Sequence, residues 1–413
     1  MRSPLAWCAV AVVVVVVIAF GEVPVAAQTR SLPEAPGTWK PWKPFAAIAS
    51  ARQAVSATPA LVKAFEAELL ELNAILRRAP AVATPVGFSV ETWGNLAGYR
   101  ASENAPGQPA AAAVPLPGGL TFGAFPIFEY QRNGKTIRED TGETALQQFI
   151  VNQIGPSLID NRGVPDWGPL DADVFLQPRR RDDVAGWTRY GDALVIAHEG
   201  AALWVPLAYG AALDLEARAR QAKVADFQES VDASTSRLAV IRDPAWRATR
   251  LKEAQQDAAA MPNPQAFVKQ IEESIRIEEA SLVAEVGPSS GSGKALAEAK
   301  LAVAEVTGLI AALSPAERAA PSCFSESGTS VRARFRGVPA AGCEPLVRPN
   351  YAYFNKALPR SVPQVVVITP IGRCFDTADK FNREANSPSP AGCRANRGLI
   401  ETLDKAALRA WVR

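Results

Sequence analysis

The chain has 413 residues, 48% of them hydrophobic and 21% charged, with 44 Lys+Arg against 42 Asp+Glu. That length supports one large core or two smaller ones, and the near-neutral balance argues against a dedicated nucleic-acid or anionic-membrane binder. A single histidine excludes zinc sites built from several imidazoles.

Residues 1–27 read as an export signal. Arg2 supplies a positive start, Leu5 to Phe20 is almost wholly apolar, and Val25-Ala26-Ala27 offers small residues for cleavage before Gln28. The apolar run is shorter than the roughly 20 residues that a spanning helix needs, which favours a cleaved leader over a retained anchor. No mature transmembrane span is expected, and the destination is periplasmic or secreted.

Residues 28–57 are rich in Pro, Ala and Trp. Proline disfavours helix for itself and for its predecessor, so Trp39 to Phe45 (WKPWKPF) is expected to be extended. Trp39, Trp42 and Phe45 are candidates for docking on a partner or, more simply, on the chain's own body.

Residues 58–206 carry a mixed pattern with two expected hairpins. Thr58-Pro59 is a cap followed by proline, and Leu61, Phe65, Leu69, Leu72 and Leu76 then keep to one helical face. Phe88 to Tyr99 alternates like a strand, and Ala101 to Gly119 reads as a loop. Leu120 to Glu139 predicts a hairpin turning at Asn133-Gly134. Thr144 to Ile154 is expected to be a short helix. Asp160 to Asp173 is an acidic loop, but Asp166, Asp171 and Asp173 lack the spacing of an EF-hand. Val174 to Leu176 predicts a strand, and Trp187 to Pro206 a second hairpin turning at Glu199-Gly200.

Residues 207–320 carry the most regular pattern. Val224, Phe227, Val231, Leu238 and Ile241 share one helical face, and polar residues fill the other. Asp243-Pro244 and Asn263-Pro264 mark two further helix starts. Phe267, Ile271, Ile275, Leu282 and Val286 line the next helix, Gly287 to Gly293 turns, and a last helix from Lys294 carries Leu296, Val303, Val306, Ile310 and Leu313 inward. Ser314 to Glu317 is a capping box. One apolar stripe cannot be buried alone, so an antiparallel hairpin or bundle is predicted. Its outer face is either scaffold or a partner-binding projection.

Residues 321–413 form the cysteine-bearing segment. Without Cys8 the chain keeps Cys323, Cys343, Cys374 and Cys393, an even number that predicts disulfides in an exported protein. Cys323–Cys343 and Cys374–Cys393 close the shortest loops among the possible pairings. Val365 to Thr369 (VVVIT) predicts a buried strand, and Leu399 to Val412 a closing helix.

Catalytic constellations are sparse. His198 has no nucleophile partner in an elbow motif, and Gly287 to Lys294 lacks the P-loop pattern because Ala295 follows the lysine. Glycoside hydrolysis needs only two carboxylates, for which Glu91, Glu129, Asp376 and Asp379 are candidates. The expectation is an α+β protein: a β-containing N-terminal half, a central antiparallel helical hairpin or bundle, and a disulfide-bearing C-terminal segment. Its expected role is non-enzymatic binding or scaffolding in the bacterial envelope, without cofactor or metal. The alternatives are a carboxylate-dependent glycoside hydrolase or transglycosylase and a small-ligand sensor.

Overall fold

A computed structural model describes residues 30–43, 56–96, 113–140, 145–155, 167, 174–198, 202–338, 342–370 and 390–413. The expected export signal, Phe45, most of the Ala/Pro/Gly loop, Asp166, Asp171, Asp173, the expected Glu199-Gly200 turn, Cys374, Asp376 and Asp379 lie outside the described residues.

The first strand, β1 (Arg30–Ser31), pairs with β4 (Phe128–Arg132), which turns into β5 (Lys135–Glu139). Asn133 and Gly134 make that turn at φ 53° and 71°, the positive values that the Asn-Gly signal predicts. Thr58 caps α1 (Pro59–Arg77) by accepting from the Leu61 amide, and a single turn, α2 (Pro80–Ala83), follows.

The main sheet runs in the order β2 (Phe88–Leu96), β3 (Gly118–Pro126), β6 (Ala145–Val151), β14 (Val365–Thr369), β9 (Ala193–Ala197) and β8 (Arg189–Tyr190), with every neighbour antiparallel. Strand alternation divides β14 between two faces. Val366 and Ile368 join Phe65, Leu72, Phe122 and Phe149 under the helices, while Val365 and Val367 face Tyr353, Phe354 and Ala193 on the other side. With both faces covered, the VVVIT run occupies the middle of the sheet.

Three expectations are corrected here. Residues 145–151 form a strand, not the short helix expected over 144–154. Leu146, Phe149 and Ile150 suit a helical period, but burial has period two: Ala145, Gln147, Phe149 and Val151 point in, while Leu146 and Gln148 point out. Phe149 lies opposite Leu120 on one edge and Ile368 on the other, so pairing on both sides overrides local preference. The second correction concerns the hairpin over 187–206. β9 turns back onto β8 through Gly191-Asp192, while β10 (Trp204–Pro206) crosses to another sheet and pairs with β13 (Glu344–Pro349). β14 takes the edge of β9 that β10 was expected to hold. The third is minor: the closing helix is two, α9 (Pro390–Thr402) and α10 (Lys405–Trp411). Asp404 accepts from the Ala407 amide and starts the second one.

The second sheet has the order β10, β13, β11 (Ser322–Phe324), β12 (Phe335–Gly337), with β7 (Phe175–Leu176) also on β13. The Cys323–Cys343 disulfide ties β11 to the entry of β13, with 5.6 Å between the Cα atoms. Cys393 is also disulfide-bonded.

The helical array comprises α3 (Tyr209–Arg242), α4 (Pro244–Ala258), α5 (Pro264–Val286), α6 (Gly291–Ala312) and α7 (Pro315–Ala319). Asp243 and Asn263 cap α4 and α5 through bonds from Ala245 and Ala266. Ser314 and Glu317 close the capping box on α7. α6 starts at Gly291, three residues earlier than expected, where Glu285 accepts the Ser292 amide and holds the turn. α3 and α6 run antiparallel, with Ser230 bonded to Ser292 at 2.9 Å. A short turn, α8 (Val331–Arg334), closes against the root of this pair.

Candidate functional site

Two features stand out on the array, its outer surface and its root. At the root, the first turns of α3 are part of the second core: Tyr209, Ala212, Leu213, Leu215 and Ala219 pack with Phe324, Phe335 and Leu346. Beyond Ala219 the next fully buried residue of α3 is Leu238. The stretch between lies outside the body and rests on α5 and α6, which makes the array an arm. Its expected stripe is half-covered at Val224, Phe227 and Val231 and fully covered only at Leu238 and Ile241. Arg237 pairs with Glu278 and Arg242 with Glu279, each at 2.8 Å, and Arg247 also engages Glu279. Those hydrogen bonds from Arg242 and Arg247 hold the Glu279 carboxyl below the usual carboxylate range. Several large apolar side chains face outward on the arm: Val240, Met261, Ile277, Val283 and Leu301, the last 72% exposed.

Where the arm leaves the body there is a cleft of about 270 Å³, lined by Glu216, Arg220 and Lys223 of α3, Ala299 and Ala302 of α6, and Arg334 of α8. The two alanines hold the gap open, because their side chains end at Cβ. Glu216 is buried in the wall. One of its oxygens accepts from Trp167 Nε1 at 2.6 Å, and the other from Arg220 Nε at 2.8 Å. Trp167 stacks on Phe335 with centroids 5.4 Å apart. The Arg334 guanidinium lies over Phe324 and Phe335, at 5.3 and 5.8 Å. The lining thus carries three cations and one carboxylate.

Trp39 and Trp42 sit on the body itself. Trp39 donates to the Val82 carbonyl at 2.7 Å and meets Phe122 edge-on, with Arg77 over its ring. Trp42 donates to Glu66 at 3.3 Å. Their segment runs along β2, with the Lys40 amide bonded to Val90 and the Val90 amide to Thr38, and covers that edge of the sheet. Glu91 is nearly buried and engaged by Lys40 and Lys43, while Glu129 lies in a different sheet from it. His198 meets Tyr353 edge-on, and its backbone N–H donates to the Tyr353 hydroxyl at 2.8 Å. Burial pushes the Tyr353 hydroxyl up to about 12.

Glu216, Arg220, Lys223 and Arg334 were not singled out from sequence. Glu216 and Arg220 are spaced i,i+4, and Lys223 is one further step along the same face, so that half was legible. Nothing local ties Arg334 to it. Among the described residues, no group of three or more His, Cys, Asp or Glu is placed to hold a metal, and no helix is long and apolar enough to cross a membrane. Comparison with protein-family models, curated proteins and solved structures finds no match for this chain.

Proposed function

We propose that the protein is an exported, non-enzymatic binding or scaffold protein of the bacterial envelope, and that it works through the helical arm. The observation that carries this reading is the outward apolar set on the arm, with Leu301 and Ile277 at 72% and 58% exposure. An isolated exposed apolar residue is ordinary; several on one projecting element are what a partner-binding surface needs. The apolar leader and the Cys323–Cys343 disulfide agree with an oxidising destination. The Trp/Pro-rich segment is set aside as the binding element, because Trp39 and Trp42 already make bonds within the body.

A photo-crosslinking residue placed at Leu301 in cells, with the same residue at exposed Val86 on the body as control, tests the proposal. A discrete adduct at Leu301 that is missing at Val86 is expected. Identical adduct patterns at both positions, or none at Leu301, would overturn it.

A further inference from the structure

We propose that the Cys323–Cys343 disulfide is a redox switch on the seat of the arm, and that Arg336 serves it by stabilising the Cys323 thiolate formed when the bond opens. The proposal stands whether or not the arm engages a partner. Its first support is where the bond sits. It closes the chain from β11 through α8 and β12 to the entry of β13. That loop seats both long helices. Val331 and Phe335 are fully buried in the second core beside Tyr209, Leu213 and Val306. The Tyr209 hydroxyl of α3 donates to the Phe335 carbonyl at 3.1 Å, and the Val331 amide donates to Glu305 of α6 at 3.2 Å. The loop's own ladder is short, because β11 and β12 share three residue pairs. A cross-link over so brief a ladder limits how far the loop can open.

The second support is Arg336. It lies directly opposite Cys323 across β11 and β12, so the two side chains share one face of the sheet, with Cβ atoms about 5 Å apart. The next pair, Phe324 and Phe335, takes the other face, with ring centroids 5.2 Å apart. Arg336 Nε is buried and has no acceptor among the described residues. A buried donor left unmet is costly, and a sulfur within a disulfide satisfies it poorly. A thiolate at Cys323 is the acceptor that this nitrogen lacks.

The third support is access. Cys343 is half-exposed, whereas Cys323 is 1% exposed. The co-reactant is a dithiol. One of its thiols, as thiolate, attacks the Cys343 sulfur and forms a mixed disulfide there. Cys323 leaves with the electron pair of the broken S–S bond, as a thiolate facing Arg336. The second thiol loses its proton, attacks the reductant sulfur of the mixed disulfide and releases Cys343. Two electrons pass from the dithiol, which ends as a disulfide, to the cysteine pair. Of its two protons, one goes to Cys343 and the other to solvent. A cation beside the leaving sulfur speeds the first step.

The full disulfide-bonded chain should be treated with dithiothreitol without denaturant, and the opening of the bond followed by alkylation and mass spectrometry of the Cys323 and Cys343 peptides. Arg336→Gln should slow the opening about tenfold and Arg336→Lys restore most of the rate. The bond at Cys393 is the internal control and should open at one rate in all three proteins. A merely structural Arg336 would act the other way, since its loss would loosen the loop and speed the opening. Backbone hydrogen exchange in Cys323→Ser/Cys343→Ser should then be at least about tenfold faster over 209–219 and 325–337, with β6 and β14 unchanged. Should that variant not fold by circular dichroism, the same exchange is read on the parent in dithiothreitol, before and after the bond opens. Opening as fast in Arg336→Gln as in the parent, no opening in the folded parent, or exchange over 209–219 that ignores the state of the bond would overturn the proposal.

Discussion

The main sheet and the arm are built by different means. In the sheet, β14 has Val365, Val366, Val367 and Ile368 at 0% exposure, held between β6 and β9, which lie far from it in sequence. In the arm, α5 buries only Ile275, and α4 only Ala254 and Ala258. The sheet rests on large side chains covered on both faces. The arm rests on small side chains, caps and ion pairs on exposed surface, each of which contributes little alone. The difference shows where the molecule can open. Segments with few buried apolar contacts unfold locally before the core does, and elements that bind or move are drawn from that end.

Substitutions in the two regions should have effects of different size and reach. Phe149→Ala, in the middle of the main sheet, should cost about 3–5 kcal/mol and lower the midpoint of global denaturation. Ile275→Ala should cost about 2 kcal/mol, and hydrogen exchange should quicken in α3 to α6 with the main sheet unchanged. Equal loss of protection in both regions after Ile275→Ala would make sheet and arm one cooperative unit.

A smaller effect is expected at the caps. Asp243 accepts from the Ala245 amide at 2.9 Å, and Asp243→Ala should cost about 1 kcal/mol, read as faster exchange in α4 alone. The smallest effect is a pH dependence. Glu279 has a depressed folded pKa through Arg242 and Arg247, so its contribution is present above the unfolded carboxylate value and is lost as pH falls through the folded one. Acidification below the normal carboxylate range should therefore loosen the α3–α5 contact, and Glu279→Gln should remove that part of the dependence. An arm whose exchange is as acid-sensitive in Glu279→Gln as in the parent would assign the effect elsewhere.

Legibility followed the same division. Helix starts at Pro59, Pro244, Pro264 and Pro315 were readable because a cap and its proline act within one turn. The Asn133-Gly134 turn was readable for the same reason. Errors fell where distant chain decides. Leu146, Phe149 and Ile150 fit a helical period until β3 and β14 claim the strand from both edges. β9 and β10 are close in sequence, yet β14 enters from more than 160 residues later and separates them, as its Val365↔Ala197 register shows. The cleft is a case between. Its α3 half is a local spacing, whereas Arg334 is brought to it by β11 and β12.

The length of α3 has a mechanical consequence. It has 34 residues, of which the first eleven, Tyr209 to Ala219, are seated in the body, and the remainder reaches about 35 Å beyond at 1.5 Å per residue. Leverage follows: a tilt of about ten degrees at the seat displaces the far end by about 6 Å over that reach. A small tilt at the seat would thereby be magnified at Arg242, the far end of the helix.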